Sequence, residues 1–257
     1  MLIVCNGAIK SGSTWLYNVV TRLLDLSWPP DSYLTLTNDA HPTIPSRKIE
    51  AFLALGLHQE AHYVSKNHYG RQEIRDLLLA DSQVRVIDMT RDLRDVIVSA
   101  YYDACRRNGF EGSFETYYWR LGRGLADQLS RYHALWGDGH PQVFVTSFET
   151  LKTDFRPEVA RLAAFLDLPP NPEKIAEIEQ ETHIDRLRKK YSGEAEYATE
   201  ENPFFRKGEI GDWRNHFGPK LIADLERVER HGLSPLDRVE LANRARRKLA
   251  RLTGKRA

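Results

Sequence analysis

The residues best suited to chemistry stand near the start of the chain, in GAIKSGSTW. Gly7 and Gly12 flank Lys10, and three hydroxyls, Ser11, Ser13 and Thr14, cluster around the second glycine. Glycines let a backbone turn tightly and approach a ligand, and the first amides of a following helix attract an anion. The stretch therefore suits a phosphate group with Lys10 reaching over it. In the nucleotide-triphosphatase loop GxxxxGK[ST] the lysine follows the last glycine, whereas Lys10 precedes Gly12. That order points to a different phosphate-like ligand. A glycine- and serine-rich turn between strand and helix also occurs without any ligand, so the turn alone admits both readings.

Two further stretches carry cations in suggestive places. In VRVIDMTRDLRDVIVSAYYD, a strand ends at Thr90, Arg91 follows it, and Ser99 comes eight residues after Arg91 on the next helix, about two turns on. A planar guanidinium grips phosphate through two parallel hydrogen bonds, so Arg91 and Ser99 suit a second phosphate. The same arginine can instead pair with Asp92 or Asp95. In FFRKGEIGDWRNHF, residues 204–217, Arg206 and Lys207 adjoin Gly208. Such a loop can close over an anion and exclude water, with Trp213 and Phe217 as anchors; a solvated charge pair is the plain alternative.

These residues need a frame, and the apolar pattern supplies one. Leu2–Cys5, Val84–Met89 and Val143–Thr146 are short β-branched runs that predict buried strands, with His62–Ser65 as a weaker fourth. Helical patterns predict helices over Thr14–Leu26, Glu73–Ala80, Leu93–Arg107, Phe114–Trp136 and Glu158–Leu166. Strands alternating with helices predict an α/β fold with a central parallel sheet flanked by helices, whose ligands collect at the carboxyl ends of the strands. Ser192–Asn202, with four glutamates, reads as a mobile surface loop, and the chain from Ser234 as a terminal helix whose end, after Glu240, carries seven basic and no acidic residues.

The bulk composition excludes several classes. The 257 residues are 41% hydrophobic with a net charge of +1, enough for a sizeable core and no case for nucleic-acid or broad membrane attraction. Two cysteines, Cys5 and Cys105, are too few for a disulfide framework and read as free thiols of a reducing compartment. No run reaches the length of a membrane span. A cytoplasmic protein with no membrane span and no nucleic-acid partner is expected.

Taken together, the three motifs resemble those of the cytosolic-type sulfotransferases. IKSGSTW is similar to that family's PKSGTTW, with Ile9 in place of proline; RDLRDVIVSAY is similar to RNPKDVxVSxY; and residues 206–217 match RKGxxGDWxNxF at every fixed position. The resemblance covers about residues 1–232, which it implies to be one P-loop-type sulfotransferase domain, with a C-terminal basic helix over 233–257. It implies transfer of a sulfuryl group from 3′-phosphoadenosine 5′-phosphosulfate (PAPS) to an acceptor hydroxyl or amine, releasing PAP, with no metal. A phosphosulfate answers the question of the early lysine. The resemblance places Lys10 on the oxygen bridging phosphate and sulfate, and Ser11, Gly12, Ser13 and Thr14 on the 5′-phosphate. Arg91, Ser99, Arg206, Lys207 and Gly208 would hold the 3′-phosphate. Trp15 would stack on adenine, with Thr182 and Ile184 also touching the base, the latter where the family has an aromatic; Phe148 stands where the family has a tyrosine.

The resemblance also implies a general base. The family's histidine lies just over twenty residues before the second-motif arginine, in a KTHLP-like pattern, and here Lys66-Asn67-His68 places His68 23 residues before Arg91. Histidine, with an ordinary pKa of about 6.5, accepts a proton near neutrality; Lys66 would join Lys10 in stabilising developing charge. The acceptor, small or carrier-bound, and the oligomeric state are not specified, since the family's KxxxTVxxxE dimerisation pattern is missing from RNHFGPKLIADLE. A start almost at the first strand suggests an open acceptor site, and the basic end is either a solvated face or a docking surface for an acidic carrier. Two rivals share the opening motif: a P-loop kinase or NTPase, against which the position of Lys10 speaks, and a non-catalytic PAP-binding protein.

Overall fold

The computed structural model describes residues 1–24, 26–36, 41–191 and 205–239. The acidic stretch Ser192–Asn202 and the basic end beyond residue 239 lie outside the described residues. In chain order the elements are β1 (Leu2–Gly7), α1 (Ser13–Leu23), a 3₁₀ turn (Asp31–Tyr33), β2 (Thr35–Leu36), β3 (Pro42–Thr43), α2 (Ser46–Ala54), α3 (Leu57–Glu60), β4 (Tyr63–Asn67), α4 (Gln72–Leu79) and β5 (Val84–Thr90). There follow α5 (Leu93–Asn108), α6 (Phe114–Tyr117), a π-helical turn (Tyr118–Gly122), α7 (Arg123–Trp136), β6 (Val143–Ser147), α8 (Phe148–Thr153), α9 (Phe155–Phe165), α10 (Pro172–Glu181), α11 (Ile184–Tyr191), a second 3₁₀ turn (Asp212–Asn215) and α12 (Pro219–His231).

The chain divides into two compact units, Met1–Asp92 with Tyr132–Ile210, and Leu93–Arg131 with the chain from Gly211. The first holds a parallel sheet in the order β4-β1-β5-β6. Every residue of LIVCNG in β1 is buried, as a central strand covered on both faces requires. One face meets α1, α9 and α10 through a core that includes Ile3, Cys5, Leu16, Val20, Ile87, Met89, Val159 and Ile178. From β1 the chain proceeds to β4 on one side, and from β5 to β6 on the other. Connections that diverge in this way open a crevice over the carboxyl ends of the two strands. Gly7, which pairs with Met89, therefore delivers the loop at residues 8–12, and Thr90 delivers Arg91, to the same crevice.

The second unit packs α5, α6 and α12 around Ile97, Phe114, Tyr118, Phe217, Leu221 and Val228. Arg123 binds Asp224 at 2.7 Å and Asp237 at 2.9 Å, and the Leu233 amide donates to Asp127 at 3.0 Å, so the described chain through residue 239 is tied into this unit.

All four expected strands are present, each extending one or two residues further at its carboxyl end, and β4 begins one residue later than expected. The single helix expected over Phe114–Trp136 is instead α6, a π turn and α7. A side chain at Gly122 would meet Ile97 and Tyr118 at 3.1 and 3.2 Å, so the glycine that lets α5 approach also weakens the helix there. Helix α9 starts three residues before Glu158 because Pro157, in its first turn, has no intrahelical bond to lose.

Candidate active site

The loop after β1 closes through Ser11, whose hydroxyl and amide both donate to the Ala8 carbonyl, at 2.6 and 3.2 Å. Between them Lys10 adopts a left-handed backbone with φ 63°, a conformation that costs a non-glycine residue roughly 1–3 kcal/mol and that clusters at functional sites. Gly12 has φ 99°, and a Cβ there would lie 3.0 Å from both Met89 and Phe148, so only glycine fits. Helix α1 starts at Ser13 with no side chain capping its N-terminus, and its first intrahelical bond is Leu16 N–H to Gly12 O at 3.1 Å. The amides of an uncapped first turn suit an anion.

His68 is the first residue after β4 and stands opposite the last residue of β1. Its Nδ1 lies 2.5 Å from the Gly7 carbonyl oxygen. A carbonyl only accepts, so Nδ1 carries the hydrogen and Nε2 of the neutral ring keeps its lone pair for a proton. The next residue is clamped as well. The Tyr69 amide donates to Asn6 Oδ1 at 2.8 Å, Asn6 Nδ2 donates back to the Tyr69 carbonyl at 3.5 Å, and Trp136 Nε1 donates to that carbonyl at 2.7 Å. Lys66 is buried in register with Cys5; burial pushes the Cys5 thiol far up, against the pull of the Lys66 charge, so this buried cysteine stays a neutral thiol.

Arg91 stacks its guanidinium 4.1 Å from the Phe148 ring centroid and donates to the Glu209 carbonyl at 3.0 Å. Phe148 also meets Trp15 edge-on at 5.5 Å, and Phe155 lies 6.1 Å from Trp15 in a stacked orientation. One phenylalanine thus joins the first motif to the second, and Arg91 joins the second to the segment containing Arg206, Lys207 and Gly208. Gly208, at φ 64°, abuts Ile184. Thr182 is buried, with its hydroxyl donating to the Ile178 carbonyl at 2.7 Å at the end of α10. Lys10 to Trp15, Lys66, His68, Arg91, Thr182, Ile184 and Arg206 to Gly208 all belong to the first unit, and Ser99 to the second.

Two residues were not singled out from sequence as part of this machinery. Asn6, a polar residue inside an apolar strand, holds the backbone beside His68. In the second unit Asp95 is buried and accepts from the Gly211 amide at 2.7 Å and the Trp213 amide at 2.9 Å, while Arg94 stacks 3.9 Å from the Trp213 ring. The RDLRDV motif thereby anchors GDW. The aspartate's fixed place in that motif was the available signal.

Residues 2–239 match the sulfotransferase domain model. The chain belongs to the sulfotransferase family. It is 25% identical over 244 residues to Cytosolic sulfotransferase 8 of Arabidopsis thaliana, across 85% of this chain and 72% of that protein. The fold is that of mouse sulfotransferase SULT7A1, solved with PAP (TM-score 0.63, 21% identity, 93% of this chain and 86% of that one). Retinol dehydratase, solved with androsterone and PAP, is similar (TM-score 0.63, 18% identity, 91% and 80%). This sulfotransferase is a PAPS-dependent enzyme that moves a sulfuryl group. No helix among its described residues is long and apolar enough to cross a membrane.

Proposed function

We propose that His68 is the general base of this sulfotransferase, taking the proton of an acceptor hydroxyl or amine on Nε2 as the acceptor atom bonds to sulfur. The observation that carries this is the contact between His68 Nδ1 and the Gly7 carbonyl, which sets the tautomer a base requires. PAPS supplies the sulfuryl group, and its phosphate side departs as PAP with the electrons of the broken sulfur–oxygen bond. Lys10, held left-handed in the loop, meets the negative charge that grows on that oxygen, and the buried Lys66 adds a second cation. Ser11, Gly12, Ser13 and Thr14 hold the 5′-phosphate at the N-terminus of α1. Arg91, Arg206, Lys207 and Gly208 hold the 3′-phosphate. Trp15, braced by Phe148 and Phe155, stacks on the adenine, with Thr182 and Ile184 at its edge.

The acceptor is a small molecule, free or presented on a carrier. Retinol dehydratase holds androsterone, which supports a small hydroxyl-bearing acceptor here. A cytoplasmic location accords with relatives named cytosolic. The deciding experiment is transfer from sulfur-labelled PAPS across a panel of phenols, aliphatic alcohols and amines. Label in the acceptor that disappears with His68→Ala supports the reading. Transfer by that variant at the wild-type rate removes His68 from the role.

A further inference from the structure

Ile184, Arg188 and Tyr191 lie four and three residues apart along α11, a spacing that puts them on one face of the helix. That face carries the chain at residues 205–208. Arg188 Nε donates to the Phe205 carbonyl at 2.9 Å, and its Nη2 donates to the Arg206 carbonyl at 2.8 Å. Its third nitrogen, Nη1, donates to Asp185 Oδ1 at 3.0 Å, which sets the plane of the guanidinium. Ile184 occupies the space beside Gly208, where an added Cβ would come within 2.1 Å of its Cδ1. The Tyr191 ring lies 5.5 Å from that of Phe205. Tyr191 is itself buried, and its hydroxyl accepts from Asn18 Nδ2 at 3.0 Å, which ties α11 to α1, the helix that opens the phosphate loop. Just beyond the segment, Arg91 takes the Glu209 carbonyl.

We propose that Arg188 is a positioning residue that holds Arg206, Lys207 and Gly208 at their distance from Arg91, and so determines how strongly this enzyme distinguishes a nucleotide carrying a 3′-phosphate from one without it. The proposal rests on the reading that residues 206–208 take that phosphate. Two successive carbonyls are held by one rigid fork. Lysine, a single ammonium on a flexible stem, cannot hold both in a fixed plane. With the fork gone, Arg206 and Lys207 remain in the chain, but their backbone is no longer set against Arg91.

The test measures binding of PAP and of adenosine 5′-monophosphate to the apo protein by calorimetry, with melting temperature as a fold control. Charge-assisted hydrogen bonds are worth enough that Arg188→Ala should weaken PAP by about tenfold to a hundredfold, while the 5′-monophosphate changes by less than about twofold. Arg188→Lys, which keeps the charge and one bond, should fall between, and it serves should the alanine variant not fold. Equal losses for both nucleotides, or no loss for either, would overturn the proposal. Arg206→Ala and Lys207→Ala separate it from the reading beneath it. If these collapse the preference for PAP and Arg188→Ala does not, the positioning role alone fails. If they leave the preference intact, the assignment of the 3′-phosphate to this segment fails first.

Discussion

Replacing Asp88 with asparagine should remove a slope from the pH dependence of stability between about pH 4 and pH 7. Asp88 sits in β5 directly beside Asn6 and is fully buried. The Tyr132 hydroxyl faces its carboxyl and favours the ionised form, but no hydrogen bond of full geometry reaches either carboxylate oxygen among the described residues. Burial therefore outweighs the pull of Tyr132 and raises the carboxyl from 3.8 to about 7. A raised carboxyl binds its proton more tightly in the folded than in the unfolded chain. Its contribution to stability is complete below the unfolded pKa and is lost as pH climbs through the folded one. At about 1.4 kcal/mol per pH unit, the rise corresponds to about 4 kcal/mol. The assay is urea denaturation of wild type and Asp88→Asn at half-unit steps from pH 4 to 8. Differencing the two curves cancels the other titrating groups, and the variant should gain on the wild type by several kcal/mol toward pH 8. Parallel curves would refute the reasoning, since they would mean that Asp88 is ionised throughout and has partners in solution.

Three further outcomes are expected. His68→Ala should lower turnover by about 10²–10⁴ while PAP affinity, measured by calorimetry, stays within a few-fold, because the base does not hold nucleotide. Arg91→Ala should weaken PAP by about tenfold to a hundredfold, the value of one charge-assisted contact, and leave adenosine 5′-phosphosulfate almost unaffected; equal losses would assign Arg91 to the packing of Phe148 instead. Gly12→Ala, which forces a side chain onto Met89 and Phe148 at φ 99°, should lower both the melting temperature and the affinity for every nucleotide tested. Unchanged binding would show that the loop has room to shift.

The sheet and the loop were legible because their signals are local. A continuous apolar run followed by glycine reads as a buried strand and a turn wherever it occurs, and the three motifs read in order. Signals for α10 were also local, Asn171 capping the amides of Glu173 and Lys174 at 3.0 Å with Pro172 next to it, and they went unused. By contrast, the apolar stripe of α11, Ile184, Leu187 and Tyr191, is only about two turns long within a lysine- and arginine-rich segment, so its role as the support of residues 205–208 could not be seen. The partners of Asn6 and Asp95 lie 63 and 116 residues away. The place of Asp95 in its motif hints that it matters, but not what it binds; only the fold brings the two ends together.

The early lysine now has a structural reason beyond its ligand. The place that GxxxxGK[ST] gives to lysine, the first residue after the last glycine, is held here by Ser13, which is buried at the start of α1. A lysine there would have to fit a long, charged side chain into a position that is only 5% exposed. Lys10 comes instead before the helix, on a left-handed backbone within the loop, and supplies the cation proposed for the bridging oxygen. The second cation of the proposed mechanism lies on a neighbouring strand, where Lys66 stands two residues before His68. The proposed base and one proposed cation thus rise from one strand end, and the other cation from the adjacent one. The parallel register of β1 with β4, Asn6 opposite Asn67, fixes their relative height. A slip of one residue would turn Lys66 to the other face of the sheet and break the His68 contact with Gly7, so the proposed chemistry depends on that register as much as on the residues themselves.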